Sequence, residues 1–478
     1  MKKEVFVTMK IQTLHQISEQ NEYIAKVRAW NDGYQKETGR CRGVFVETFG
    51  CQQNEADSEK LRGLCVAMGY VPVQSPAEAD LILVNTCAIR EHAEQKALSI
   101  IGQYKHLKVK KQGLMIGVCG CMVTQEHRVN DIKFRYPYVD FVFGTSSLHR
   151  LPQLLWEKTE KGKRIYCPDE TEYTVVEGIP IDRESTYRAW VSIMYGCNNF
   201  CSYCIVPYVR GRERSRPCDA VIEEVKGLVR SGYRDITLLG QNVNSYGKGL
   251  SEKIDFADLL CRLADIEGDY RLNFMTSHPK DATKKLIDVM AQKPRVAEHF
   301  HLPLQSGSDR ILKSMNRHYD TERYLDIVSY MREKMPDIVI TSDIIVGFPG
   351  ETEEDFEATL DMLRRVKFDM IYSFIYSPRK GTPAAEMKDQ IPREVQNERF
   401  DRLLALQNEI SLEKNLPLVG REVRVLCDGE SKTNSLVFSG RTDGGKIVFF
   451  EGDASDKGQF VTIKIERAEA FALYGKKK

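Results

Sequence analysis

From Gly43 onward the apolar positions fall into short runs separated by amphipathic stretches. Val44-Phe45-Val46-Glu47-Thr48 reads as a strand, and Gly50-Cys51 turns the chain into a helix over about 56–68. Leu81-Ile82-Leu83-Val84-Asn85-Thr86 is a second apolar strand, ending at Cys87 and followed by a helical stretch over about 88–103. Leu114-Met115-Ile116-Gly117-Val118 is a third, ending in Cys119-Gly120-Cys121. Strands alternating with helices predict a parallel sheet with helices on its faces. Ligands collect at the carboxyl ends of strands in such sheets. Cys51, Cys87 and Cys121 each stand just past one, so three distant cysteines can converge.

Residues 1–41 are polar with weak helical periodicity and read as an extension, helical or partly disordered. The pattern of 42–158 fades over 159–185, where Gly162, Pro168, Gly178 and Pro180 amid mixed charge predict a linker. Six strand candidates follow between helices, at 189–195, 236–239, 272–276, 299–304, 338–346 and 370–376. They predict an open parallel (β/α)6 barrel over 186–415, whose chemistry belongs at the carboxyl ends of its strands. Thr352 and Asp355 predict a capped helix start after the fifth strand. From 416 to 478 the pattern is all-β, with alternating runs at 423–427, 435–440, 446–450 and 460–465, and Asp443-Gly444-Gly445 as a hairpin turn. A small OB-like barrel fits, with a structural cap as the plainer alternative.

At 478 residues the chain is too long for one core. Lys+Arg 69 against Asp+Glu 68 argues against a general polyanion binder and permits local basic patches. The last domain carries 11 Lys/Arg against 9 Asp/Glu over 417–478, a net of +2, only mildly basic. No apolar run approaches the roughly 20 residues of a membrane span, and the polar, charged start shows no secretion signal. Thirteen cysteines in such a chain point to metal or packing in a reducing cytoplasm, without disulfides.

The strongest chemical signal is Gly196-Cys197-Asn198-Asn199-Phe200-Cys201-Ser202-Tyr203-Cys204. The spacing Cys-x3-Cys-x2-Cys aims three thiolates of one loop at a single cluster, and a [4Fe–4S] cube then keeps one iron open for chemistry. Zinc would want a fourth ligand, usually from a second Cys-x2-Cys pair, which is lacking; unrelated buried thiols are the plainest alternative. Tyr208-Val209-Arg210-Gly211-Arg212-Glu213-Arg214-Ser215-Arg216 holds arginines spaced by two, which on an extended segment share one face and suit a phosphate track. A salt-bridged surface strand is the competing reading. Lys105, Lys108, Lys110 and Lys111 read as a solvated helix end. In the last domain Arg441, Phe449 and Phe450 offer charge and stacking to single-stranded RNA, although one of two adjacent phenylalanines on a strand should face the core.

The cysteine loop at the first strand of a partial barrel resembles the radical S-adenosylmethionine enzymes. With Glu47-Thr48-Phe49-Gly50-Cys51-Gln52-Gln53-Asn54 and Asn85-Thr86-Cys87-Ala88-Ile89-Arg90 in front, the chain is similar to the methylthiotransferases, and its end resembles their TRAM domain. That resemblance implies a flavodoxin-like first domain and a C-terminal RNA-binding domain. It also implies two [4Fe–4S] clusters, one on Cys51, Cys87 and Cys121, the other on Cys197, Cys201 and Cys204, facing one closed cavity. The family's Gly-Cys pairing favours Cys121 over Cys119, leaving Cys119 a packed thiol. Cys41, Cys65, Cys167, Cys218, Cys261 and Cys427 default to buried small hydrophobes.

The resemblance further implies S-adenosylmethionine as cofactor, split to a 5′-deoxyadenosyl radical, because an aromatic C–H has no useful acidity. Gln241, Asn242, Ser277, Gln305, Gly347 and Gly350 follow barrel strands and are its expected contacts, with ordinary turn-forming as the alternative for each. Arg317 is expected at the methionine carboxylate, or else as a solvated surface arginine. Arg210, Arg212, Arg214 and Arg441 are the expected RNA contacts. Gly240-Gln241-Asn242-Val243-Asn244 and Leu302-Pro303-Leu304-Gln305-Ser306-Gly307-Ser308 resemble the branch that places a methylthio group on carbon 2 of isopentenylated adenosine beside the tRNA anticodon. Other branches act on threonylcarbamoyl-adenosine or on a ribosomal-protein aspartate, and a non-catalytic cluster-bearing RNA sensor is the rival of another class. The implied partners are that tRNA, an electron donor and a sulfur or iron–sulfur delivery protein, with the enzyme a monomer off the membrane.

Overall fold

The computed structural model describes residues 13–89, 91–167, 175–431 and 434–478. Arg90, the first twelve residues and the Pro168 part of the expected linker lie outside them. The chain forms two compact units. One comprises Met1–Glu184 with Val206–Arg216, the other Ser185–Ile205 with Pro217–Lys478.

The first unit is built on a fully parallel six-stranded sheet. Its order is Val71–Pro72, Gly43–Thr48, Leu81–Thr86, Met115–Gly120, Phe141–Phe143, Ile165–Cys167. Leu81–Thr86 and Met115–Gly120 are buried along their whole length, as strands covered on both faces must be. Successive side chains go to opposite faces: Leu81 and Leu83 pack with Leu61, Leu64 and Phe141, while Ile82 and Val84 pack with Ile101, Ile116 and Val118. In chain order the strands run 2-1-3-4-5-6, the flavodoxin-like arrangement, whose switch point lies between the first and third strands.

The sheet holds strands that the sequence pattern did not reveal, and the N-terminal extension is helical, one of its two expected states. The strands Phe141–Phe143 and Ile165–Cys167 extend the sheet, the second inside the stretch read as a linker. Residues before Arg40 form the helix Thr13–Thr38, which is tied down by Val27 in the core and by Asn31 Nδ2 donating to the Met68 carbonyl at 2.8 Å.

In the second unit all six expected barrel strands form. Arg188–Ser192, Asp235–Leu239 and Arg271–Phe274 make one parallel triple; His299–His301, Val339–Val346 and Met370–Ile375 make another. A parallel bridge between Leu272 and Val296 links the triples. The main core lies between these strands and the helices Cys218–Arg230, Phe256–Ala264, Lys284–Gln292, Thr321–Lys334 and Glu353–Val366. The last of these starts as expected, with Thr352 and Asp355 in a reciprocal capping box.

The C-terminal strands close into a five-stranded barrel in the order Glu422–Ser431, Asn434–Thr442, Ile447–Glu451, Leu473–Lys477, Phe460–Ala468. Leu473–Lys477 is a strand the sequence pattern did not reveal. This barrel seats on the amino ends of the larger one: Arg271 Nη1 donates to the Thr442 carbonyl at 2.8 Å, Arg188 Nη2 to Asp428 Oδ1 at 2.6 Å and Lys446 Nζ to Asp369 Oδ1 at 2.7 Å. It therefore occupies the end opposite the one where barrel chemistry sits.

Candidate metal centres

In the first unit, three strands deliver three cysteines to one end of the sheet. Thr48 stands opposite Asn85, and Thr86 opposite Gly120, so Cys51, Cys87 and Cys121 emerge side by side across the switch point. Their sulfurs are close enough that a thiolate on Cys121 is opposed by Cys87 and Cys51. Gly50 and Gly120 precede two of them with φ of 146° and 96°. A Cβ on Gly120 would meet Asn85 Oδ1 and the Thr86 carbonyl at 2.4 Å, and one on Gly50 would meet Asn54 Oδ1 at 2.6 Å. The Gly-Cys pairs thus have a steric cause: only glycine fits the turn that aims the thiol.

A polar lattice backs the tripod. Asn54 and Asn85, both fully buried, bond each other; Asn85 Nδ2 also reaches Ser58 Oγ at 3.0 Å, and Thr48 Oγ1 donates to Ser58 Oγ at 2.7 Å. The Ile89 N–H donates to Cys87 Sγ at 3.3 Å, and Cys51 Sγ lies 3.4 Å from Asn54 Oδ1. Cys119 points into the core with Leu61 and Cys65, as its place within the strand demands. Burial pushes the Cys121 thiol up to about 12, against the pull of Arg210, so a thiolate there calls for a cation to hold it.

In the second unit, Cys197, Cys201 and Cys204 lie in the loop after Arg188–Ser192 and Met194–Tyr195. The loop is clamped from three sides. Asn316 Nδ2 donates to the carbonyls of Asn199 at 3.2 Å and Phe200 at 2.9 Å. The Ser202 N–H donates to the Met315 carbonyl at 3.0 Å, and the Gly196 N–H to Gln241 Oε1. Phe200 and Asn316 take positive φ of 48° and 59°, a cost the packed loop sustains.

Among the described residues no three His, Cys, Asp or Glu side chains close on a single metal ion. A four-iron cube is far wider than one ion and takes each thiolate on a different iron.

The polar groups at the carboxyl ends of barrel strands two to four are unusual. Asn242 Oδ1, Ser277 Oγ, His278 Nε2 and Gln305 Oε1 are buried and without a hydrogen-bond partner. Asn242 spends its amide nitrogen on Asp281 at 2.8 Å. His278 Nδ1 accepts the Lys280 N–H at 3.2 Å, which leaves Nε2 to carry the proton, and burial with Arg317 and Lys280 nearby holds the ring neutral. Thr276 and Gln305 take φ of 70° and 72°, and for a β-branched threonine that is a real outlier. Native proteins rarely leave four buried polar atoms unmet together. These acceptors and donors match the ammonium, carboxylate and hydroxyl groups of S-adenosylmethionine. The pair His301 and Asp343, on the fourth and fifth barrel strands with Nε2 and Oδ2 3.6 Å apart, was not evident from sequence.

Three of the expected contacts have partners within the protein. Gly347 is a turn residue with φ 73°, and an added Cβ there would meet the Gln396 side chain at 2.5 Å. Its N–H donates to Glu351 Oε2 at 2.6 Å, and Gly350, at φ 77°, donates to the Asp389 carbonyl at 2.7 Å. Arg317 is buried, which excludes the surface reading. Its Nε donates to Tyr319 at 3.0 Å, Nη1 to Cys201 Sγ at 3.4 Å and Nη2 to the Pro303 carbonyl at 2.9 Å, so it braces the cysteine loop.

The arginine run is not a surface phosphate track. Arg210 is buried on Asp57 and Cys121; Arg214 is buried on the carbonyls of Arg210 and Arg212; Arg216 makes a two-pronged pair with Glu177 at 2.6 and 2.7 Å. Arg212 alone of the four is exposed. Lys108 and Lys111 pair with Asp140 and Asp80, so that helix end is ion-paired as well as solvated. In the small barrel Phe450 faces the core, Phe449 stacks on Tyr474 with ring centroids 5.6 Å apart, and Arg441 stays exposed.

Residues 191–363 match the Radical SAM superfamily, 43–144 the Uncharacterized protein family UPF0004, and 418–478 the TRAM domain. A solved radical S-adenosylmethionine methyltransferase, TsrM, from Kitasatospora setae shares the fold at 16% identity and a TM-score of 0.53, over 72% of this chain and 77% of that one. Fold and cysteine loop define a radical S-adenosylmethionine enzyme, a class that works with a [4Fe–4S] cluster and S-adenosylmethionine. The tRNA-2-methylthio-N(6)-dimethylallyladenosine synthase of Acetivibrio thermocellus is 48% identical over 96% of both chains. That of Caldicellulosiruptor saccharolyticus is 51% identical over 95% of this chain and 97% of its own. The chain belongs to this family of tRNA methylthiotransferases.

Proposed function

We propose that this enzyme replaces the carbon-2 hydrogen of isopentenylated adenosine beside the tRNA anticodon with a methylthio group. One observation carries the reading: two separate sets of three cysteines, each set at strand carboxyl ends, in a chain about half identical to the synthases along nearly its whole length. Three thiols per cluster leave one iron without a protein ligand, which a purely electron-storing or sensing site does not need.

Cys197, Cys201 and Cys204 hold one [4Fe–4S] cluster, and Cys51, Cys87 and Cys121 the other. When bound, these clusters and S-adenosylmethionine supply the one-electron chemistry and the sulfur that an unreactive aromatic C–H requires. Asn242, Ser277, His278 and Gln305 bind and orient the cofactor through their unmet polar atoms. Burial of that set keeps water from a reactive primary radical. Arg441 and the Phe449–Tyr474 stack on the small barrel meet tRNA phosphate and base. The enzyme draws on a cellular one-electron donor and a sulfur supply, and acts as a cytoplasmic monomer; no described helix is long and apolar enough to cross a membrane.

Mass analysis of tRNA nucleosides from cells lacking the protein tests this. Loss of the 2-methylthio group, with isopentenyladenosine accumulating, is expected. Its persistence alongside loss from threonylcarbamoyl-adenosine or from a ribosomal protein refutes the substrate. Failure of the purified enzyme to release 5′-deoxyadenosine from S-adenosylmethionine under dithionite refutes the chemistry.

A further inference from the structure

Arg210 sits where sequence reasoning expected none of the arginines to be. It belongs to the segment Val206–Arg216, which packs within the first unit although it follows Cys204 by only a few residues. Its side chain is 4% exposed and that of Asp57 is 6% exposed. Arg210 Nε donates to Cys121 Sγ at 3.1 Å, and Nη2 donates to Asp57 Oδ2 at 2.9 Å. Asp57 is itself fixed, its Oδ1 accepting from Gln53 Nε2 at 3.1 Å. The guanidinium therefore cannot rotate away from the sulfur without abandoning a buried carboxylate.

Placing a buried cation on one ligand sulfur, and a buried anion just behind it, has an electrostatic consequence. Adding an electron to a thiolate-bound cluster adds negative charge at its sulfurs, and hydrogen bonds and nearby charge are what set that energy. A cation in hydrogen-bond contact stabilises the reduced form, the carboxylate one residue further off opposes it, and the low local dielectric enlarges both effects.

Resting on the assignment of Cys51, Cys87 and Cys121 as cluster ligands, we infer that Arg210 and Asp57 form a positioning pair that sets the reduction potential of that cluster. Arg210 raises the potential through Cys121 Sγ, and Asp57 both aims the guanidinium and moderates its charge. Neither touches the substrate.

The two charges make opposite predictions, which a merely structural role does not. The measurement is an anaerobic potentiometric titration followed by electron paramagnetic resonance, on full-length protein with Cys197, Cys201 and Cys204 changed to Ala so that only this cluster reports. Arg210→Gln shifts the midpoint to lower potential, Asp57→Asn shifts it to higher potential, and Arg210→Lys falls between Arg210→Gln and the parent. An unchanged midpoint in Arg210→Gln with iron retained overturns the inference, as does a shift of the same sign in both variants. If Arg210→Gln fails to hold iron, Asp57→Asn decides alone: a rise supports the pair, and no change or a fall overturns it. Absence of iron from the parent itself instead defeats the ligand assignment.

Discussion

Asn54 and Asn85 hydrogen-bond each other in both directions: Asn54 Nδ2 donates to Asn85 Oδ1 at 3.1 Å, and Asn85 Nδ2 donates to the Asn54 carbonyl at 2.9 Å. Asn54 lies three residues after Cys51 and Asn85 two before Cys87, so the exchange pins the two thiol-bearing turns to one another across the switch point. Both residues are fully buried. Asn85→Leu removes three buried hydrogen bonds, two with Asn54 and one with Ser58 Oγ, while Asn54 Nδ2 keeps the Thr86 carbonyl and Ser58 Oγ keeps Thr48; a loss of about 1–3 kcal/mol follows. A lower denaturation midpoint of about that size, with iron lost from the Cys51, Cys87 and Cys121 site, is expected. Full iron retention together with unchanged stability would show that the pair does not brace the tripod.

Cys119 and Cys121 differ by two positions and have different surroundings. Cys119 is packed among Leu61, Cys65 and Phe143, whereas Cys121 follows the strand and meets Arg210. Cys121→Ala is expected to lose roughly half of the iron, by ligand count. Cys119→Ala is expected to keep its iron and to lose about 1 kcal/mol of stability from the small cavity it leaves. Anaerobic iron and sulfide analysis of the two variants separates them; iron lost only from Cys119→Ala would move the ligand two positions back, to Cys119.

The strand–cysteine junctions were legible in sequence because each strand is a near-continuous apolar run, and the barrel strands because each ends in a polar loop. Phe141–Phe143 and Ile165–Cys167, at three residues each, are too short to show a period, and Leu473–Lys477 carries a glycine and two lysines in five positions. The arginine run misled for a different reason. Its counter-charges come from far away in the chain, Asp57 being 153 residues before Arg210 and Glu177 39 before Arg216. A local window shows only the cations. What sequence did offer at Asp57 was a polar amino-terminal half, Gln52 to Glu59, on a helix whose other half is apolar. Six of those eight residues are buried, all but Gln52 and Glu55, as befits a wall of a site.

Glu351 gives the fold a pH dependence. It is buried, and burial pushes its carboxyl up to about 7 despite the Gly347 N–H and Arg399, whose Nη1 lies 3.2 Å from Oε2. Because the folded state holds this proton more tightly than the unfolded one, its contribution is full below about pH 4.5 and is lost as pH rises through about 7. A shift of that size corresponds to stability on the order of 3 kcal/mol. Glu351→Gln keeps an acceptor for Gly347 and is expected to flatten the fall in melting temperature between pH 5 and 8 (bounds set by the roughly one-unit titration widths around these values). An equally steep fall in the variant would assign the dependence to another group.

Arg441 and Arg214 should respond to substitution in opposite ways, although the sequence made both expected RNA contacts. Arg441 is 45% exposed in its side chain, with a 3.8 Å approach to Asp428 Oδ2 and a 3.2 Å bond to the Gly445 carbonyl. Arg441→Ala is expected to weaken tRNA binding at low salt and to reduce the slope of log affinity against log salt by about 1, the share of a single neutralised phosphate, with stability nearly unchanged. Arg214 is buried, and its Nη1 and Nη2 donate to the Arg210 and Arg212 carbonyls at 2.9–3.3 Å. Arg214→Ala strands those carbonyls beneath the segment that aims Arg210, at a cost of about 2–3 kcal/mol, and leaves the salt slope of whatever protein still folds unaltered. Filter binding across a salt series, beside thermal denaturation of both variants, reads the two outcomes together. A changed slope in Arg214→Ala, or an unchanged one in Arg441→Ala, would redraw the RNA-contacting face.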